Sequence, residues 1–238
     1  MLEHVNLSDL LVLDIETVSQ TPSFSYLDEE WQELWTRKSG ALNKPELDAS
    51  SLYERASIYA EFGKIIVIGL GIFNGQGDDL QLRVKSIAGD DEAALLNEFA
   101  ELLNQHFNQD KHRLVAHNGK EFDFPYICRR MLINGIKIPD ILDLSGKKPW
   151  EIQHIDTMEL WKFGDYKNYT SLNVLAKCFN IPSPKDDIDG SLVGHTYWQL
   201  NDLERISTYC KKDITTTAQI LLKYKLMDIL PSEKIIVT

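Results

Sequence analysis

The chain has 238 residues with 36 acidic against 25 basic side chains, a formal net charge of −11. That balance argues against a broad electrostatic grip on duplex nucleic acid, which needs many phosphates neutralised by Lys and Arg. It leaves room for contact with a few nucleotides, because a bound cation can be the largest charge in a small site. A hydrophobic content of 43% with 10% aromatics and this length suit one α/β domain with one core, spanning residues 1–238. No apolar run approaches the roughly 18 residues that cross a bilayer, and the N-terminal residues lack the basic segment and apolar core of a secretory leader. Cys128, Cys178 and Cys210 are odd in number and without metal-ligand spacing, which fits reduced thiols. A soluble, cytoplasmic protein with no membrane partner is expected.

In chain order, Leu10-Leu11-Val12-Leu13 reads as a buried strand running into Asp14-Ile15-Glu16-Thr17. Strand side chains alternate, so Asp14 and Glu16 share a face at or just past the strand's end. Two acids held together resist joint ionisation unless a cation sits between them. Taken alone, the pair is also what an exposed strand end carries. Residues 18–62 read as a helical insertion, with one amphipathic helix after Asp28-Glu29-Glu30 and a second from about Pro45 to Ala60. Its aromatics, Trp31 and Trp35 among them, are expected to pack the insertion onto the domain rather than to stack on a substrate.

Lys64 to Phe73 is a strand, and Asn74 to Asp79 turns it into a second strand at Leu80 to Ile87, a hairpin. Gly69, Gly71, Gly75 and Gly77 do not lead into a helix in the pattern of a phosphate-binding loop. Asp90 to Phe107 has helical periodicity, and His112 to Ala116 is a short strand. This order predicts a mixed sheet covered by helices. In His117-Asn118-Gly119-Lys120-Glu121-Phe122-Asp123 the strand ends, a Gly turn follows, and Asp123 precedes a helix from about Pro125 to Asn134. Asp there commonly caps a helix, and His117 reads as a satisfied strand-end histidine. A strand around Gln153 to Asp156 follows, with His154 and Asp156 read as structural. Ser171 caps the next helix, and Pro182 to Gly190 is a loop whose register fails as a calcium loop. The last helix starts near Asn201-Asp202. Tyr209 and Asp213, four apart, border its buried stripe.

Each motif alone is unremarkable; their order is not. Asp14-Ile15-Glu16-Thr17, then Asn118 to Asp123, then Tyr209-Cys210-Lys211-Lys212-Asp213 resembles the DEDD superfamily of 3′–5′ exonucleases, in the branch with Tyr in its third motif. The likeness is to the proofreading domain of family B DNA polymerases and to free-standing exonucleases related to it. Ser171 to Ala176 and the Lys185 to Gly190 loop support it, and residues 18–62 match it least. In the histidine branch the basic residue stands five before the last Asp; that position here is Thr208, and His195 does not fit.

The resemblance implies a ribonuclease H-like α/β fold, a central mixed β-sheet flanked by helices. It implies two divalent cations, Mg²⁺ or Mn²⁺, held by Asp14, Glu16, Asp123 and Asp213, with Tyr209 orienting the attacking water. Thr17, Asn118 and Phe122 are the candidate substrate-binding residues. The expected reaction is release of nucleoside monophosphates from the 3′ end of a nucleic acid, single-stranded DNA ahead of RNA. The alternatives are a 3′–5′ exoribonuclease, carrying the same four acids, and a nucleic-acid-binding module that has lost its chemistry; the four acids argue against the second. No protein partner is indicated.

Overall fold

A computed structural model of the chain describes residues 2–42, 47–165, 167, 169–182 and 188–238. Strand β1, Leu10–Ser19, is followed by helix α1, Glu29–Gly40, whose first turn is capped by the Asp28 carboxylate accepting from Trp31 N–H at 2.9 Å. The hairpin is β2, Gly63–Asn74, and β3, Gln81–Ala88, with Gly75 at φ +81° in the turn, a left-handed conformation that favours glycine. Helix α2, Glu92–His106, strand β4, Arg113–Ala116, and helix α3, Asp123–Ile133, come next. Then follow β5, Ile155–Asp156, α4, Thr157–Lys162, α5, Leu172–Cys178, α6, Val193–Trp198, α7, Leu203–Tyr224, and β6, Ile235–Val237.

The sheet has six strands in the order β5-β4-β1-β2-β3-β6. The β1-β2-β3 meander is antiparallel, while β4 on β1, β5 on β4 and β6 on β3 are parallel. This is the mixed sheet flanked by helices expected of a ribonuclease H-like fold. Alternation along β1 sorts its side chains onto two faces. Leu11, Leu13 and Ile15 pack with Leu95, Phe99 and Leu103 of α2 and Phe124, Ile127 and Met131 of α3. Leu10 and Val12 pack with Ile214, Ala218 and Leu221 of α7, so Asp14 and Glu16, in the same alternation, fall on the α7 face.

Two readings change. Asp14 and Glu16 lie inside β1 rather than at its end, because β2 keeps pairing as far as Ser19. Only the β4 side stops early, at Val12 opposite Val115. The expected helix from Pro45 to Ala60 begins at a residue outside those described, and over 47–60 the chain forms a short 3₁₀ segment, Tyr53–Ile58, instead. Asp48 accepts from Ser51 N–H at 2.7 Å, the local side-chain bond by which Asp and Ser compete with helix. Strand β6 had no sequence expectation.

The aromatics of the insertion pack as expected. Trp35 is fully buried, donates its Nε1–H to Ala49 O at 2.8 Å, and meets Tyr53 and Phe62 edge-on. His154 is also structural. Its Nδ1 accepts from Leu114 N–H at 3.2 Å and its Nε2–H donates to Ile141 O at 2.9 Å, which fixes a neutral ring. Burial pushes its pKa down to about 4 from an ordinary value near 6.5. The unfolded chain therefore binds the extra proton between those values, and stability present above pH 6.5 is lost as pH falls toward 4. A gap of that size is worth about 3 kcal/mol. His154→Gln is expected to flatten the dependence of melting temperature on pH over that window relative to the parent protein. No helix among the described residues is long and apolar enough to cross a membrane.

Candidate active site

The site forms where three elements meet at β1. Asp14 stands opposite Gly69 of β2. A Cβ on Gly69 would lie 2.6 Å from Cys210 Sγ and 2.8 Å from Ile214 Cγ1, and one on Gly71 would lie 2.6 Å from Ile214 Cγ2. The two glycines thus let α7 settle onto the sheet, bringing the turn that carries Tyr209 and Asp213 over Asp14 and Glu16. This is the use of glycines that make no phosphate loop.

Asp123 reaches the same place from the other side. It is 3% exposed and is the first residue of α3, not its cap; Phe122 occupies the cap position without a side-chain bond. Its Oδ1 accepts from Ile15 N–H at 3.1 Å. That donor lies beyond the last residue of β1 paired with β4, so the carboxylate replaces a missing strand partner between Asp14 and Glu16.

The electrostatics report the convergence. Burial and then the charges of Asp123 and Asp213 push the Asp14 carboxyl well above the ordinary carboxylate range. Burial and then Asp14, Asp213 and Asp123 do the same to Glu16. Burial raises Asp123 to about 7, against the bonds its carboxylate accepts. Among the described residues no Lys or Arg forms an ion pair with Asp14, Glu16 or Asp123. Acids so placed ionise together only when cations arrive. Carboxylate oxygens in this number are the donor set that hard divalent cations take, so the residues fit the binding of divalent metal.

Tyr209 hydrogen-bonds through its phenol to the Asp213 carboxylate, and burial together with Asp213 and Glu16 holds its pKa far above the ordinary value. It therefore keeps its proton. Cys210 is the residue that sequence reasoning passed over. Its thiol is buried, lies 3.4 Å from Asp14 Oδ2, and groups with Asp14 and Glu16 so that one ligand atom from each falls within 4.8 Å of the others. Its spacing to other cysteines carried no signal; its place one residue after Tyr209 did.

The candidate substrate-binding residues are more dispersed in role. A register shift between Glu16 and Thr17 turns the strand, and Thr17 Oγ1 donates to Ser57 O at 2.9 Å, tying β1 to the insertion. Asn118 sits at φ 66° and donates its N–H to Asp156 Oδ1 at 3.0 Å, while its own Oδ1 is buried with no partner among the described residues. The Phe122 ring lies 5.3 Å from that of Tyr126, at the margin of the core. Asp156 is structural, accepting from Asn118, Lys120, Met158 and Glu159 N–H groups. His117 is satisfied through both ring nitrogens, by Thr157 Oγ1 and Thr170 O, each at 2.9 Å.

Among known proteins, the chain is 22% identical to a DNA polymerase of Pyrococcus glycovorans over 73% of its own length and 24% of the polymerase. Among solved structures, the family B DNA polymerase of the archaeon Pyrobaculum calidifontis aligns with 91% of this chain and 24% of its own, at 17% identity and a TM-score of 0.49. The Nibbler EXO domain of Aedes aegypti aligns with 93% of this chain and 82% of its own, at 10% identity and a TM-score of 0.41. The chain spans about a quarter of the length of these polymerases. The model of a family described as predicted 3′–5′ exonucleases related to the exonuclease domain of PolB matches residues 58–233, well over half of the chain, and the protein belongs to that family.

Proposed function

We propose that this 3′–5′ exonuclease removes nucleotides from the 3′ end of single-stranded DNA, releasing nucleoside monophosphates, with Asp14, Glu16, Asp123 and Asp213 holding two divalent cations, Mg²⁺ or Mn²⁺. The observation that carries the reading is the convergence of these acids at β1, Glu16 and Asp123 buried and Asp14 and Asp213 half-buried, with the carboxyls of Asp14 and Glu16 raised by burial and then by the charges of the others. In the reaction, water attacks phosphorus, the bond from phosphorus to the 3′ oxygen breaks, and the leaving strand keeps a 3′ hydroxyl. A cation pair bound there supplies an acidified water and stabilises the departing oxygen.

The protein's own groups do the positioning. Asp123, anchored on Ile15 N–H, holds its carboxylate against the strand, and Cys210 holds Asp14. Tyr209 retains its proton, which it donates to Asp213, so it orients water through its oxygen lone pairs and does not act as a base. Tyr209→Phe is expected to lower kcat by about 10- to 100-fold, the range of a lost hydrogen bond to a charged group, with little change in KM. The pH profile should keep its shape, since the phenol does not titrate in the working range.

The decisive assay is release of mononucleotides from oligodeoxynucleotides labelled at the 3′ or the 5′ end, with Mg²⁺, Mn²⁺ or a chelator. Early appearance of 3′-terminal mononucleotide, and none under chelation, is the expected result. Endonucleolytic fragments, or full activity in chelator, would defeat the proposal. The same oligomers in ribose form measure the sugar preference.

A further inference from the structure

The insertion and α6 enclose a groove of about 680 Å³ whose lining includes Ser19, Arg55, Ser57, His195 and Trp198, a size typical of ligand sites. It lies farther along β1 than the acids, which do not line it. Ser19 is on β1 three residues after Glu16, about 10 Å along a strand, and the carbonyl of Ser57 is the atom that Thr17 holds at 2.9 Å. In a chain of net charge −11, the lining described is formally neutral, with the acid Glu54 balanced by the exposed Arg55, and it adds the His195 imidazole and several hydroxyls. Among the described residues Arg55 forms no ion pair.

Trp198 adds an independent observation. Its indole Nε1–H is buried and has no acceptor among the described residues, although nearly every buried donor in a folded protein has one. The ring itself is held in place. The Lys64 ammonium lies 5.1 Å from the Trp198 ring centre and donates to Tyr197 Oη at 2.9 Å, and Tyr197 in turn donates to Asp90 at 2.7 Å. A fixed donor without an acceptor, beside a guanidinium and an imidazole, suits an oxygen-rich anionic chain.

We infer that this groove receives the backbone of the single strand immediately 5′ of the bond being cut, with Arg55 and His195 facing phosphates and the Trp198 indole N–H donating to an acceptor oxygen. The inference rests on the exonuclease reading and specifies how the enzyme measures strand length. Most of one wall, from Ser19 to Ser57, comes from the insertion, and the facing wall from α6 and the residues just before it.

The test compares kcat/KM on a thymidine pentanucleotide and dinucleotide for the parent protein, Arg55→Ala, His195→Ala and Trp198→Phe. Arg129→Ala, exposed and outside the groove, is the charge control. Binding of a 5′-fluorescein pentanucleotide is followed by anisotropy with Ca²⁺ in place of Mg²⁺. The parent is expected to favour the pentanucleotide, and the groove variants to shrink that preference by roughly tenfold, as for a lost charged hydrogen bond. In Arg55→Ala the slope of log Kd against log salt should fall by about 0.7, one phosphate contact on a single strand. Trp198→Phe keeps an aromatic ring, though a smaller one, and removes the donor, and should weaken pentanucleotide binding several-fold. A length preference and salt slope equal in parent, Arg55→Ala and Arg129→Ala would overturn the groove assignment. Failure of the parent to cleave either oligomer would instead strike the exonuclease reading, while the binding arm still decides the groove.

Discussion

Asp14→Asn is expected to lower Mg²⁺-dependent release of mononucleotides by at least roughly 10³-fold, as loss of several kcal/mol of transition-state charge stabilisation demands. Asparagine keeps the shape of the side chain on β1 and an oxygen for the Cys210 thiol, which lies 3.4 Å from Asp14 Oδ2, so the loss isolates the charge. The same substitution should act on stability with the opposite sign. In the metal-free protein the folded state holds the Asp14 carboxyl well above its ordinary pKa, through burial and the charges of Asp123 and Asp213. The folded form then binds more protons than the unfolded chain once pH exceeds the ordinary carboxylate value near 3.9, and stability declines as pH rises from there. Removing the charge relieves that decline. Chelated Asp14→Asn should therefore melt at or above the parent's temperature at neutral pH, and the rise in melting temperature that Mg²⁺ or Mn²⁺ gives the parent should shrink or vanish. Activity within tenfold of the parent, or an undiminished thermal response to the cations, would show that Asp14 holds no catalytic ion.

The pair Asp14 and Glu16 was legible because strand periodicity alone puts two residues on one face, and Tyr209 and Asp213 because four residues make one helical turn. What brings these groups together was not legible, since it lies in contacts distant along the chain. Gly69 and Gly71 read only as strand residues that make no phosphate loop until α7 is seen occupying the space a side chain would fill. Asp123 carried the sequence mark of a helix cap, and its bond to Ile15 N–H depends on where β4 happens to stop. The helix expected up to Ala60 failed for a local reason, the Asp48 and Ser51 turn. The buried ion pair of Glu92 and Arg130 left no trace in periodicity at all, and neither residue stood out in the sequence.

Those two residues carry the largest expected effect on stability. Glu92 opens α2 and is 7% exposed, as is Arg130. Its carboxylate accepts from Ile65 N–H at 2.7 Å, from Arg130 Nη2 at 2.5 Å and Nε at 2.9 Å, and from Asn134 at 3.0 Å. Arg130 also donates to Ala60 O at 2.8 Å. One ion pair thus fastens α2, α3, β2 and the end of the insertion. Glu92→Ala strands a buried guanidinium and the Ile65 N–H, which is worth about 3–5 kcal/mol, or on the order of 10 °C in melting temperature for a chain of this size. Glu92→Leu together with Arg130→Met removes both charges and should recover most of that loss, because the penalty comes from the unpaired charge more than from the missing attraction. The single variant should also lose activity beyond its loss of folded protein. Arg130 lies two helical turns along α3 from Asp123, and a displacement of about 1 Å at a reacting centre can cost 10²-fold in rate. Measured below the melting transition, a fall in kcat that the double variant partly restores would tie this distant pair to the placement of Asp123; equal kcat in all three proteins would confine it to stability.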